Sequence, residues 1–227
     1  MIEQMPDHFD QKGFTPLMST AYLPPLDYMV VAARASAMVI DVHETYPKQT
    51  WRNRCRILTA NGLLELSIPV HKPAGQQTRT LEAEISDHRP WQKRHWRSIS
   101  SAYANAPYFL YYEDLIRPFF FKPPPRLLID WNCALFNEMM GALGLNATIK
   151  RTAEFDKKPD PSMDFRFSFS PKTDKPQVFT QIQWPSYQQV FPLPTGFASR
   201  LSIIDLLFNV GPETGDYLNH CADMAFG

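Results

Sequence analysis

Apolar positions along the chain fall into two periodicities. Residues 17–22 (LMSTAY) and 38–42 (MVIDV) are apolar runs of strand length. Between them Leu26, Met29, Val30 and Ala33 recur at helical spacing, behind Pro24-Pro25. Proline is well placed at a helix start, where the first N–H groups have no helical partner to lose. A strand, a helix and a strand in such quick succession predict a βαβ unit with parallel strands and a right-handed crossover. Ligands of such units bind beyond the C-terminal strand ends, here residues 19–22 and 41–44.

Period-two alternation follows. Over residues 52–58, Arg52, Arg54 and Arg56 alternate with Asn53, Cys55 and Ile57, which predicts a strand with three guanidiniums on one face, roughly 7 Å apart. Asn61-Gly62 is a strong hairpin signal, because both residues tolerate positive φ, and residues 64–70 return as the partner strand. Residues 81–85 predict a further strand. In residues 90–103, Trp91, His95, Ile99 and Ala102 form one helical stripe, so His95 points with the apolar face. Residues 108–112 (YFLYY) read as a buried aromatic run whose hydroxyls need partners.

After the stiff Pro123-Pro124-Pro125 separator, residues 126–143 carry the longest helical pattern, stopped by Gly144. Residues 147–153 read as an edge strand. Residues 156–177 are dense in Lys, Asp and Pro and predict a mobile loop, within which 163–170 (MDFRFSFS) alternates. Residues 184–197 are irregular and aromatic. Ser199 caps a helix over RLSIIDLLFN, ended by Gly211, and a last short helix runs to His220. Asp205 lies among inward-facing Leu201, Ile204 and Phe208, so it must be paired or hydrogen-bonded; a basic or backbone partner and a structural role are expected, and Arg200 or a hairpin arginine could serve. The expected fold is α/β: a flexible stretch over 1–13, then a single domain with a mixed sheet, the N-terminal βαβ-like unit and the hairpin, flanked by helices.

Charge narrows the function. Lys plus Arg and Asp plus Glu each number 23 in 227 residues, which argues against a nucleic-acid binder acting through a basic field. No apolar run reaches the roughly 18 residues of a membrane span, and the acidic N-terminus is no secretory signal. Cys55, Cys133 and Cys221 are odd in number and far apart, without metal-ligand spacing, which fits a reduced, cytoplasmic protein without a metal or cofactor. No Gly-rich phosphate loop, G-x-S-x-G elbow, H-E-x-x-H or D-x-D occurs.

The candidate chemistry centres on ETYPKQTWRNR. Arginine suits bidentate recognition of carboxylate and phosphate. The three arginines therefore either face solvent and scattered carboxylates or form an anion site for a phosphorylated or nucleotide-linked ligand. In the second reading Lys48, Arg52 and Arg54 hold the anion, Tyr22, Tyr103 and Tyr112 orient the substrate, Tyr46 and Asn53 are further substrate-binding residues, and His95 or Glu44 is the general base. Cys55 faces away from the arginines and reads as a small buried filler.

Several segments together carry a family resemblance: TAYLPPLDY, ETYPKQTWRNRCRI, LSIPV, HWRSISSAYANAPYFLYY, a central LGL, MDFRFSFSPK, YQQVF and GFASRLSIIDLLFNVGPE. In that order they resemble the WbqC-like proteins, and KQTWRNRCRI with DLLFN resembles the Bacteroidetes-type subgroup. Where many such proteins read His-Gln-Pro before Tyr-Leu-Pro, this chain reads Met18-Ser19-Thr20-Ala21. The resemblance implies a cytoplasmic role in making surface polysaccharide of the O-antigen type. A transferase moving an acyl or aminoacyl group to a nucleotide-linked amino sugar is one expectation. The other is a non-catalytic protein that recognises an anionic sugar or a partner protein.

Overall fold

A computed structural model describes residues 13–86, 90–172, 178–179 and 182–227. The expected flexible N-terminus, up to residue 12, and the stretch 173–177 of the expected mobile loop lie outside the described residues. The architecture is mixed α/β. β1 (Leu17–Ser19), α1 (Leu26–Arg34) and β2 (Ala37–Asp41) form the βαβ unit, with Leu17 beside Val39 in parallel register. α1 is buried from Leu26 to Ala32, Asp27 included.

β3 (Arg54–Thr59) and β4 (Gly62–Ser67) are the hairpin, antiparallel from Arg54–Ser67 to Thr59–Gly62. The turn sits ahead of Asn61-Gly62: Ala60 and Asn61 make its tip, and Gly62 opens β4 at φ 95°, a conformation that favours glycine. β3 starts at Arg54, because residues 51–53 turn, so Arg52 does not share its strand face. β5 (Val70–His71) and β6 (Glu84–Ile85) form a separate antiparallel pair.

α2 (Trp91–Tyr103) buries Trp91, His95, Ile99 and Ala102, the stripe its spacing predicts. The YFLYY run opens α3 (Phe109–Phe121), a helix its pattern conceals. Phe109, Tyr112, Ile116 and Phe120 are buried while Leu110, Tyr111 and Phe121 are exposed, so both faces are apolar and no stripe stands out. α4 (Leu128–Ala142) leads to β7 (Thr148–Arg151), which joins β2 in parallel, giving the sheet order β1-β2-β7. Parallel and antiparallel pairing thus belong to separate sheets.

The segment around MDFRFSFS lies along the free edge of β1. Leu17 N–H donates to the Met163 carbonyl (2.8 Å) and Phe165 N–H to the Leu17 carbonyl (2.9 Å). Phe165 and Phe169 enter the core. α5 (Ile203–Val210) is capped by Ser202, later than the expected Ser199, and ends at Gly211. α6 (Thr214–Phe226) runs past His220 and packs on α1.

Candidate functional site

The C-terminal ends of β1 and β2 fix the loop at 41–53. Asp41 Oδ1 accepts the N–H groups of His43 (2.9 Å) and Glu44 (3.1 Å). Tyr22 N–H donates to the Trp51 carbonyl (2.8 Å), and Tyr46 N–H to that of Thr78 (2.8 Å). Inside the loop, Arg52 grips Glu44 at both oxygens, Nε to Oε1 and Nη2 to Oε2, each 2.6 Å. Thr80 Oγ1 adds a bond to Oε1 at 3.3 Å. Burial raises the Glu44 carboxyl above its ordinary range, and the bonds from Arg52 partly offset this. Asn132 Nδ2 holds the Arg52 carbonyl at 2.7 Å. Asp41 Oδ2 in turn binds Arg166 Nη1 at 2.7 Å. These are buried structural pairs, and they hold the loop's shape.

Between this loop and the end of β4 lies a pocket of about 360 Å³. Tyr46, Lys48, Asn53, Arg54 and Lys72 line it. Lys72 Nζ donates to the Tyr46 carbonyl (3.2 Å) and lies over the Tyr46 ring, 5.6 Å from its centroid. Asn53 Nδ2 donates to the Ile68 carbonyl (2.8 Å), which leaves Oδ1 as the acceptor. Three buried polar atoms here have no partner among the described residues: the Tyr46 hydroxyl, Asn53 Oδ1 and Arg54 Nε. Unsatisfied buried polar groups are costly, so atoms like these call for a partner such as ordered water, an ion or a ligand. Gln49, also in the wall, has φ 58°, a conformation that strains a residue with a Cβ.

A second pocket, about 470 Å³, lies on the other side of the β4 end, lined by Glu65, Arg94, His95 and Ser98. Ser67 and Pro69 line both pockets, so the end of β4 is a shared wall. Tyr22 donates its hydroxyl to His95 Nδ1 at 2.9 Å, and the Ser67 backbone hydrogen-bonds the ring. A backbone acceptor requires the opposite nitrogen to carry the proton, which assigns Nδ1 as the acceptor. Burial pushes the His95 pKa down to about 4, with Ser67 pulling it up and Arg94 pushing it further down. The ring is therefore neutral at pH 7.

Eight of the ten predicted site residues divide among three places. Tyr46, Lys48, Asn53 and Arg54 meet in the basic pocket; His95 lines the second, with Tyr22 buried behind it; Glu44 and Arg52 form the pair behind the loop. Tyr103 lines neither pocket. Its hydroxyl donates to Asp205 Oδ1 (2.9 Å), while Tyr187 (2.6 Å) and Gln189 Nε2 (3.0 Å) donate to Oδ2. Asp205 is thus held by neutral donors and not by the expected arginine; Arg200 pairs with Asp27 at 3.2 Å. Tyr112 also lies outside both pockets, on α3 against Tyr111. The arginines separate as well: Arg54 Nη1 binds Glu65 at 2.5 Å, and Arg56 Nη2 binds the Pro171 carbonyl at 3.1 Å. Cys55 is buried and its thiol is pushed well up, the reverse of activation.

Sequence reasoning missed Lys72, Arg94 and Glu65. Hairpin alternation does place Glu65 opposite Arg56, on the arginine face. No periodicity marks Lys72. Among the described residues no cluster of three His, Cys, Asp or Glu side chains is placed to hold a metal ion, and no helix is long and apolar enough to cross a membrane.

The WbqC-like protein family matches residues 20–180 and 166–217, a span that includes both pockets and the Asp205 cluster. The chain belongs to the WbqC-like family. This WbqC-like protein is also similar to "Uncharacterized protein Rv1507c" of Mycobacterium tuberculosis, 26% identical over 225 residues, covering 90% of this chain and 97% of that relative. No solved structure matches it with significance.

Proposed function

We propose that this WbqC-like protein binds a phosphorylated or nucleotide-linked sugar in the basic pocket and acts on it as a cytoplasmic transferase of surface-polysaccharide synthesis, moving an acyl or aminoacyl group to an amino sugar. The observation that carries the reading is the combination, in one pocket, of Lys48, Arg54 and Lys72 with buried donors and an acceptor that no group among the described residues satisfies. The cations and the Tyr46 and Arg54 donors suit phosphate oxygens, and Asn53 Oδ1 suits a sugar hydroxyl. The transferred group then sits across Ser67, in the pocket of His95, Arg94 and Ser98. There His95, held from behind by Tyr22, faces the sugar's reacting group. For His95 to serve as general base, the Tyr22 hydroxyl leaves Nδ1 and the acceptor's hydroxyl or amine takes its place; its proton passes to Nδ1 as the new acyl bond forms, and then to the carrier that leaves as its own bond to the acyl carbon breaks. Glu44 is engaged at both oxygens by Arg52, and its part is to hold the loop. Three cysteines without disulfides fit the cytoplasm.

A second reading, recognition of an anionic sugar without turnover, is favoured by one observation: both His95 nitrogens have partners and the ring's pKa lies at about 4, so no base stands ready in the unliganded protein. Thermal shift and calorimetry with nucleotide-linked sugars and sugar phosphates test the common core of both readings. Lys48→Met and Arg54→Met should remove ligand-induced stabilisation and leave the unliganded melting point nearly unchanged. A wild-type protein that no phosphate-bearing sugar stabilises would end the proposal. Turnover of a bound sugar, lost in His95→Gln with binding kept, separates the enzyme from the binding protein.

A further inference from the structure

The ion pair of Arg54 with Glu65 bridges the two pockets. Arg54 belongs to the basic pocket and Glu65 to the His95 pocket, and Nη1 meets Oε1 at 2.5 Å. Both side chains are partly exposed, at 25% and 34%, so the pair is screened and readily exchanged. Arg54 Nε is buried and has no partner among the described residues. Arg94, a second guanidinium, lines the same His95 pocket as Glu65.

Resting on the function proposed above, we infer that Glu65 is a latch: a phosphate entering the basic pocket takes Arg54 from Glu65, and the released carboxylate moves toward Arg94 in the His95 pocket. The physical reason is competition for one guanidinium. A phosphate monoester is close to a dianion near neutral pH and presents three strong acceptor oxygens. It engages Nε together with Lys48 and Lys72, whereas Glu65 offers a single charge to Nη1. The exchange involves no covalent step and no change in total charge. Its consequence is coupling: occupancy of the phosphate pocket changes which charges face the neighbouring pocket, so a phosphate-bearing sugar bound in one alters the setting of the group to be transferred in the other.

The test uses glucose 1-phosphate as the probe at pH 8, with the full-length protein. Glu65→Gln keeps the shape, removes the competing charge, and should tighten binding about two- to fivefold, the range set by an exposed ion pair. Arg94→Met removes the alternative partner and should weaken binding about twofold. In the wild type the Arg54 Nε–H and Glu65 carboxyl NMR resonances should both move on titration. Unchanged or weaker binding in Glu65→Gln, or a Glu65 resonance that stays still while the Arg54 signal moves, overturns the latch. In that case loss of binding in Arg54→Met still upholds the phosphate site. A wild-type protein that does not bind the probe overturns both.

Discussion

Acid should unfold this protein in part through His95. In the unfolded chain the imidazole takes a proton near 6.5, but in the fold burial holds it off until about 4. At about 1.4 kcal/mol per pH unit, that difference makes about 3 kcal/mol of stability depend on the ring staying neutral. The contribution is complete above pH 6.5 and is lost as pH falls toward 4. Buried Asp27, Glu44 and Asp205 act in the opposite sense, because their carboxyl pKa values are raised and the folded state takes up those protons first. A single stability curve would blend these effects, so the informative quantity is the difference between wild type and His95→Gln. Glutamine can accept from Tyr22 and donate to Ser67, at a cost of about 1–2 kcal/mol at pH 7 for its poorer fit. Between pH 7 and pH 4 the wild type should lose about 3 kcal/mol relative to the variant, so that the variant becomes the more stable protein in acid. Urea unfolding at stepped pH, followed by tryptophan fluorescence, reads this directly. A difference that stays constant over that range would refute a neutral ring with Nδ1 as acceptor.

Arg52→Met should cost about 3–5 kcal/mol in urea unfolding, since it strands the buried Glu44 carboxylate, and adding Glu44→Gln should recover part of the loss. Arg54→Met, at a half-exposed pair, should cost less than about 1 kcal/mol in the same assay. Asp205→Asn trades an acceptor for a donor facing two tyrosine hydroxyls and Gln189, and should lower stability by about 1–3 kcal/mol by thermal denaturation. Gly211→Ala would set a Cβ 2.5 Å from the Tyr108 ring at φ 67°, and should cost upward of about 2 kcal/mol.

Much of the fold was legible because it is local. The proline pair, the spacing of Leu26, Met29 and Val30, and the glycine after Asn61 each act within a few residues, and the βαβ unit and hairpin follow from them. α3 was not legible, because Leu110, Tyr111 and Phe121 spread apolar groups over its exposed side. Period two wrongly extended the arginine strand back to Arg52, since alternation cannot distinguish a strand from the turn that precedes it. The site was half legible. The density of Tyr46, Lys48, Asn53 and Arg54 in one short stretch is a sequence fact, but Lys72 reaches that pocket from a segment with no pattern of its own. The partner of Asp205 could not be read either, because buried carboxylates accept from tyrosine and glutamine as well as arginine.

The buried pairs of Asp27 with Arg200 and Asp41 with Arg166 also set a timetable for synthesis. Their members lie 173 and 125 residues apart. At roughly 5–20 residues per second, Asp27 waits about 10–30 seconds for its arginine to be made. Until then the βαβ unit cannot bury α1 without stranding a carboxylate. A chain interrupted before Arg166 therefore remains open to chaperones and proteases, and only a nearly finished chain closes.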